Sequence, residues 1–183
     1  MEFTLSDTEK QILLEMARKA ILEHLTGEKA EYPEPTETLR QKCGAFVTLH
    51  ENGNLRGCIG YVIPIKPLYQ TVKEVAVSAA FEDPRFPPLH RDEYEKIDIE
   101  ISALSPLRRI DDINEIKVGT HGIMIRRGYS SGLLLPQVAT EQGWDLETFL
   151  THTCYKAGLP GNCWKDRHTS IEVFSAIVFG EKE

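Results

Sequence analysis

The 183 residues contain no run of about 18 apolar residues that could cross a bilayer as a helix. The opening MEFTLSDTEK also lacks the basic-then-apolar order of a secretory leader. Both absences point to a cytoplasmic protein without a membrane anchor. Cysteine is scarce: Cys43, Cys58, Cys154 and Cys163 are the four present. None stands in a C-x-x-C pair, so a disulfide framework, structural zinc and an iron–sulfur cluster all lack a sequence basis. In the cytoplasm all four thiols are expected to stay reduced. His-x-x-x-His is missing too, and a metal site would have to be assembled from distant residues such as Cys58, His121 and Glu100. No metal or cofactor is therefore assigned. Positive charge is in deficit, with 21 Lys and Arg against 28 Asp and Glu for a net charge of −7. The basic pairs Arg108-Arg109 and Arg126-Arg127 stand alone, which excludes the field of cations that a phosphate backbone requires, and with it general nucleic-acid binding. Gly57-Cys58-Ile59-Gly60 fits neither the dinucleotide glycine pattern nor the Walker phosphate loop.

What is present is the composition of a globular domain, 41% hydrophobic and 27% charged. The length suits a single domain over residues 1–183, or a large lobe carrying a smaller one. Ser6-Asp7-Thr8-Glu9 has the spacing of a capping box, and Ile12, Leu13, Met16, Ala17, Ala20 and Ile21 follow at helical intervals toward Gly27. Pro33 and Pro35 then force an extended loop. Ala45–Leu49 and Leu55–Val62 flank Glu51-Asn52-Gly53-Asn54, whose Asn-Gly pair supplies the positive φ angles of a hairpin turn. After Pro67, the residues Leu68, Val72, Val75, Ala76 and Ala79 make the apolar stripe of a second helix ending near Phe81. Prolines 84, 87 and 88 predict a rigid, packed loop. Ile97, Ile99, Ile101 and Ala103 alternate with Asp98, Glu100 and Ser102, the period of a half-buried strand. A second hairpin is predicted from Ile123–Arg127 and Leu133–Leu135, then short helices from Pro136 to Gly143 and from Asp145 to Gly158, and a closing strand over Ile171–Phe179. Hairpins and helices mix without βαβ alternation, so the class is α+β, a mainly antiparallel sheet with flanking helices.

Leu55-Arg56-Gly57-Cys58-Ile59-Gly60 resembles the signature of the AMMECR domain family, named for a chromosomal region linked to Alport syndrome and elliptocytosis. Asp83-Pro84-Arg85-Phe86-Pro87-Pro88, Ser102-Ala103-Leu104-Ser105-Pro106, Gly119-Thr120-His121-Gly122-Ile123, Leu134-Leu135-Pro136-Gln137-Val138-Ala139 and Gly143-Trp144-Asp145 resemble the family's later blocks, in order. The resemblance covers about residues 5 to 180. It implies an α+β fold of a larger and a smaller lobe, with the Arg56–Gly60 strand at a cleft, and it brings no established biochemical activity. In prokaryotes such proteins resemble system protein A of the AmmeMemoRadiSam group, found beside or fused to a Memo-like protein related to extradiol dioxygenases, and beside a radical-SAM protein. These two are the partners that the resemblance implies.

Arg56 and Cys58 are two apart on a predicted strand and so share a face, where a guanidinium would favour the thiolate. Gly57 and Gly60 would let a substrate approach the backbone. The structural alternative is a small buried Cys, with glycines that serve a bulge. A thiolate needs a proton carrier, and His50, His90, His121, His152, His168 and Glu100 are available. His121 sits in a glycine-flanked turn, where a His also serves to hydrogen-bond the backbone; Glu100 lies on the polar side of the central strand. Asp83, Arg85 and Phe86 occupy the proline-stiffened loop. That cluster either recognises a carboxylate or amide group, with Ser102 adding a neutral donor, or pins its own loop by a salt bridge. Two functions follow. One is an enzyme or enzyme component with Cys58 as thiolate, His121 or Glu100 as proton carrier, and Arg56, Gly57, Gly60, Asp83, Arg85, Phe86 and Ser102 around an unknown small molecule. The other is a non-catalytic accessory module that docks the Memo-like or radical-SAM protein.

Overall fold

The capping box at Ser6 forms as its spacing predicts: the Glu9 N–H donates to Ser6 Oγ at 3.1 Å and the Ser6 N–H to Glu9 Oε2 at 2.9 Å, starting helix α1 (Asp7–Thr26). Gly27 ends α1 at φ +75°, in the left-handed region open to glycine. The computed structural model describes residues 3–182. The chain is α+β, and it divides into two compact units, one comprising residues up to Pro106 together with those from Ile177 onward, the other Leu107–Ala176.

In the first unit, α1 and α2 (Leu68–Phe81) pack on a sheet of β1 (Ala45–Glu51), β2 (Asn54–Tyr61) and β3 (Ile97–Leu104). The strand order is β2-β1-β3, antiparallel throughout. Alternate residues enter the core: Val47 and Leu49 from β1 and Ile99 and Ile101 from β3 meet Leu13 and Ile21 of α1 and Val72 and Ala76 of α2. Burying these side chains is the main stabilising term, about 1.5–3 kcal/mol for each large one. Asn52 and Gly53, at φ +54° and +79°, make the tight turn between β1 and β2 that the Asn-Gly pair predicts. The register then slips. Leu49 faces Gly57 but His50 faces Leu55, which leaves Arg56 as the extra residue of a β-bulge.

The second unit holds β4 (Arg108–Ile110), β5 (His121–Arg127), β6 (Ser130–Leu134), α3 (Pro136–Gln142), α4 (Leu146–Lys156) and the first part of β7 (Ser170–Gly180), whose last residues belong to the first unit. β7 pairs with β4 and β5, and β5 with β6, all antiparallel. Ile123, Ile125, Phe149, Leu150 and Val173 form its core. The second hairpin is longer than its apolar pattern predicts, because Ser130 and Ser131 pair with Arg127 and Arg126 by main-chain bonds that need no apolar side chain. Asp145 caps α4 as predicted, accepting the Thr148 N–H at 2.9 Å. Among the described residues no helix is long and apolar enough to cross a membrane.

The expectation of four reduced cysteines is corrected here. Cys154 and Cys163 are joined in a disulfide, both buried, and Cys43 and Cys58 are the free thiols. Cys154 lies in the last turns of α4, and the chain reverses through Gly158, at φ +75°, into a 3₁₀ turn at Cys163–Lys165. Two residues nine apart in sequence thereby bring their Cα atoms to 5.9 Å, within the span that a disulfide bridges.

Candidate functional site

The β1, β2 and β3 residues that do not enter the core share the opposite, half-buried face of the first unit's sheet. Directly opposed residues of an antiparallel pair lie on one face. Thr48 opposes Cys58 on β2 and Glu100 on β3, so these three form a row across the strands. Phe46 likewise opposes Gly60 and Ser102, forming the next row. Within the first row Thr48 Oγ1 and Cys58 Sγ are 3.2 Å apart, hydrogen-bond distance for a thiol.

The Asp83 loop fixes the strand that carries Cys58. Asp83 Oδ2 accepts the Cys58 N–H at 3.0 Å, and Oδ1 accepts the Arg85 N–H at 3.1 Å and its Nε–H at 3.0 Å. Arg85 Nη2 donates to Asp83 Oδ2 at 2.8 Å and reaches the Cys58 carbonyl at 3.4 Å. The Arg85 guanidinium and the Cys58 amide hold the Asp83 carboxyl far below the usual carboxylate range. Asp83 does bind an amide group, and it is the chain's own. Because β2 lies at the edge of its sheet, Cys58 turns its N–H and C=O outward, and Asp83 with Arg85 satisfies both as a neighbouring strand would.

Arg56 is placed differently from the sequence reading, which put its guanidinium beside the thiol. The bulge interrupts the alternation, and Arg56, only 7% exposed, forks onto Glu93 through Nε at 2.8 Å and Nη2 at 3.1 Å. Nη2 also donates to the Pro87 carbonyl at 2.8 Å. The cation that reaches Cys58 is therefore Arg85. Arg56 instead ties the hairpin to the loop after Pro87, and its hydrogen bonds pull the Glu93 carboxyl down to about 2. Glu51 hydrogen-bonds Glu93 and is pushed up by that second carboxyl and by desolvation. Phe86 stands close to both guanidiniums, with its ring centroid 5.4 Å from Arg85 and 5.9 Å from Arg56.

The two glycines serve the chain's own packing. A Cβ on Gly57 would lie 2.1 Å from the Ala79 carbonyl oxygen of α2, and one on Gly60 2.5 Å from the Phe46 ring. That space is filled by protein on the side where a substrate was expected to approach. His121 opens β5 in the second unit, where its Nδ1 accepts the Lys117 N–H at 3.0 Å. Of the sequence-derived residues, Cys58, Gly60, Glu100 and Ser102 thus share one sheet face, with Asp83 and Arg85 at its edge. Sequence reading missed Thr48, Glu51 and Glu93. Thr48 was detectable, since Phe46, Thr48 and His50 alternate with the apolar residues of β1.

A separate groove of about 520 Å³ lies against α1 and α2. Its Glu23 accepts the Ala30 N–H at 2.8 Å and the Tyr32 hydroxyl at 3.2 Å, and its Lys73 ammonium sits 3.7 Å from the Tyr32 ring centroid. These charges bind the loop after α1 to the helices.

The chain belongs to the AMMECR1 family, whose model matches residues 14–179. It is similar to a protein of Methanothermobacter thermautotrophicus, 48% identical over 185 residues that cover 97% of this chain and 96% of the relative. Protein MK0488 of Methanopyrus kandleri is 49% identical over 186 residues, covering 96% and 89%. The crystal structure of the uncharacterised protein PH0010 from Pyrococcus horikoshii is similar as well, with a TM-score of 0.72 and 42% identity over 97% of this chain and 94% of that one. These relatives bring a family and a fold, without a molecular function.

Proposed function

We propose that this chain is a thiol-dependent cytoplasmic enzyme or enzyme component, with Cys58 as nucleophile on the half-buried face of the first unit's sheet. The row Cys58–Thr48–Glu100 carries this reading. A thiolate is the reactive form of cysteine. The Thr48 hydroxyl can relay the proton: as it takes the S–H proton its own passes to the Glu100 carboxylate on its far side, which is neutralised, and the hydroxyl then donates to the thiolate. Arg85, with 56% of its side chain exposed, offers donors to an anionic substrate beside Cys58. The alkylation rate of Cys58 against pH, followed by iodoacetamide labelling and peptide mapping, tests the row. Thr48→Val and Glu100→Gln are both expected to slow labelling at neutral pH. Faster labelling in Glu100→Gln would mean that the carboxylate only repels a thiolate, and would end its role as proton carrier.

A second reading, an accessory module for a Memo-like or radical-SAM protein, is favoured by one observation. Pro84, Arg85, Pro87 and Pro88 are exposed on a loop whose ends, Asp83 and Leu89, are buried. Such a loop presents a fixed surface at little entropic cost. Co-elution with a Memo-like protein, abolished by a Pro84→Lys, Pro88→Glu double substitution, is the outcome it requires; co-elution that survives the substitutions counts against it.

A further inference from the structure

The edge of β2 is plugged at one point and open at the next. In an antiparallel ladder the hydrogen-bonding groups of successive residues turn alternately toward and away from the partner strand. Cys58 turns away from β1, as its bond to Asp83 shows, so Gly60, two residues on, does too. Outside the β1–β2 ladder itself, no backbone hydrogen bond among the described residues takes the Gly60 N–H or C=O. The bulge at Arg56 and the Asp83–Arg85 clamp blunt the first half of the edge, and no such device guards Ile59–Tyr61. Among the described residues before Pro106, the exposed large apolar side chains are Leu55, Ile63 and Ile65, at 41%, 52% and 60%. All three lie on β2 or in the four residues that follow it. An unpaired strand edge, a flanking apolar surface and a cation at the end of the open stretch fall within one short segment.

We propose that the open half of β2 docks an extended peptide segment of a partner protein, one with apolar side chains and a carboxylate that Arg85 receives. The main chain of that segment pairs with the outward N–H and C=O of Gly60 along the strand's edge, and its apolar side chains cover Ile63 and Ile65. The half-exposed Arg85 guanidinium, already at the Cys58 carbonyl, supplies the complementary charge. The site does not depend on any chemistry of Cys58.

The test uses the full chain and short N-acetylated peptides in which Val, Ile or Thr alternates with Ser or Lys, each made with a free C-terminal carboxylate and again as the C-terminal amide. The carboxylate peptides are expected to bind, to slow exchange of the Gly60 amide proton by about tenfold or more, and to bind about tenfold more tightly than the amides. An Ile63→Lys, Ile65→Lys double substitution, at exposed positions that leave the fold intact, should abolish both effects. Three results would each overturn the proposal: no binding at about 1 mM peptide, binding without slowed Gly60 exchange, or Gly60 protection that grows with protein concentration and no peptide. The last would assign the edge to a second copy of the chain.

Discussion

Replacing Asp83 with Ala is expected to destabilise the first unit by about 3 kcal/mol, the range for orphaning a hydrogen-bonded partner of a buried carboxylate. The side chain of Asp83 is 2% exposed and accepts from the Cys58 amide and from three Arg85 donors. Its removal leaves the Cys58 N–H without a partner at the sheet edge and frees Arg85 from the carboxylate it pairs with. Because Arg85 is half exposed, water recovers much of its share, and most of the loss falls on the Cys58 amide and the loop. Asp83→Asn keeps an acceptor and should cost less. The pH dependence has a definite sign. The folded-state carboxyl is held far below the unfolded aspartate value of about 3.9. Its contribution is therefore complete above that value and is lost as pH falls from there toward the folded-state value. Urea melts of wild type and Asp83→Ala should differ by a constant amount between about pH 5 and 8 and converge below about pH 4. A gap within about 0.5 kcal/mol at neutral pH would mean that the clamp contributes nothing.

The second large effect belongs to the other unit. Breaking Cys154–Cys163 restores freedom to an unfolded loop closed over a sequence separation of nine residues, which the chain-entropy argument values at about 3 kcal/mol. For a chain of this size the midpoint of thermal unfolding should fall by about 6–12 °C. Thermal scans with and without dithiothreitol, and of the Cys154→Ala, Cys163→Ala double variant, measure it. Both sulfurs are buried, so reduction should need partial opening of the unit and proceed slowly in the native protein. Unchanged melting in a sample shown by mass to be reduced would contradict the stabilising role.

Elements with a local cause were legible in the sequence. The Ser6 capping box, the Asn52-Gly53 turn, the Asp145 cap and the alternation of Ile97, Ile99 and Ile101 each encode their structure within a few residues. β4 was not legible, because it has three residues and only Ile110 is buried, too short for any period to show. The bulge at Arg56 was hidden for a different reason: it is a property of the β1–β2 pairing, and one extra residue was enough to send the guanidinium to Glu93. Gly57 and Gly60 were visible as oddities in a strand. Their cause, the Ala79 carbonyl and the Phe46 ring, comes from packing distant in sequence or across the hairpin. The disulfide was missed because spacing alone said nothing of the reversal after α4. For the candidate site, Cys58, Glu100 and Asp83 were recognisable by residue type and setting, whereas Thr48 became significant only once register placed it between Cys58 and Glu100.

A thiol-dependent function requires Cys58, which is half-buried, to be accessible in the folded protein, while Cys43 is sealed in the core with burial pushing its thiol up to about 12. Site-resolved iodoacetamide labelling of the native chain at neutral pH, read by peptide mapping, addresses this directly. The prediction is one label per chain, at Cys58, with Cys43 reacting only after unfolding and Cys154 and Cys163 only after reduction. A Cys58 that stays unlabelled until the protein unfolds would contradict the claim and leave it a structural thiol.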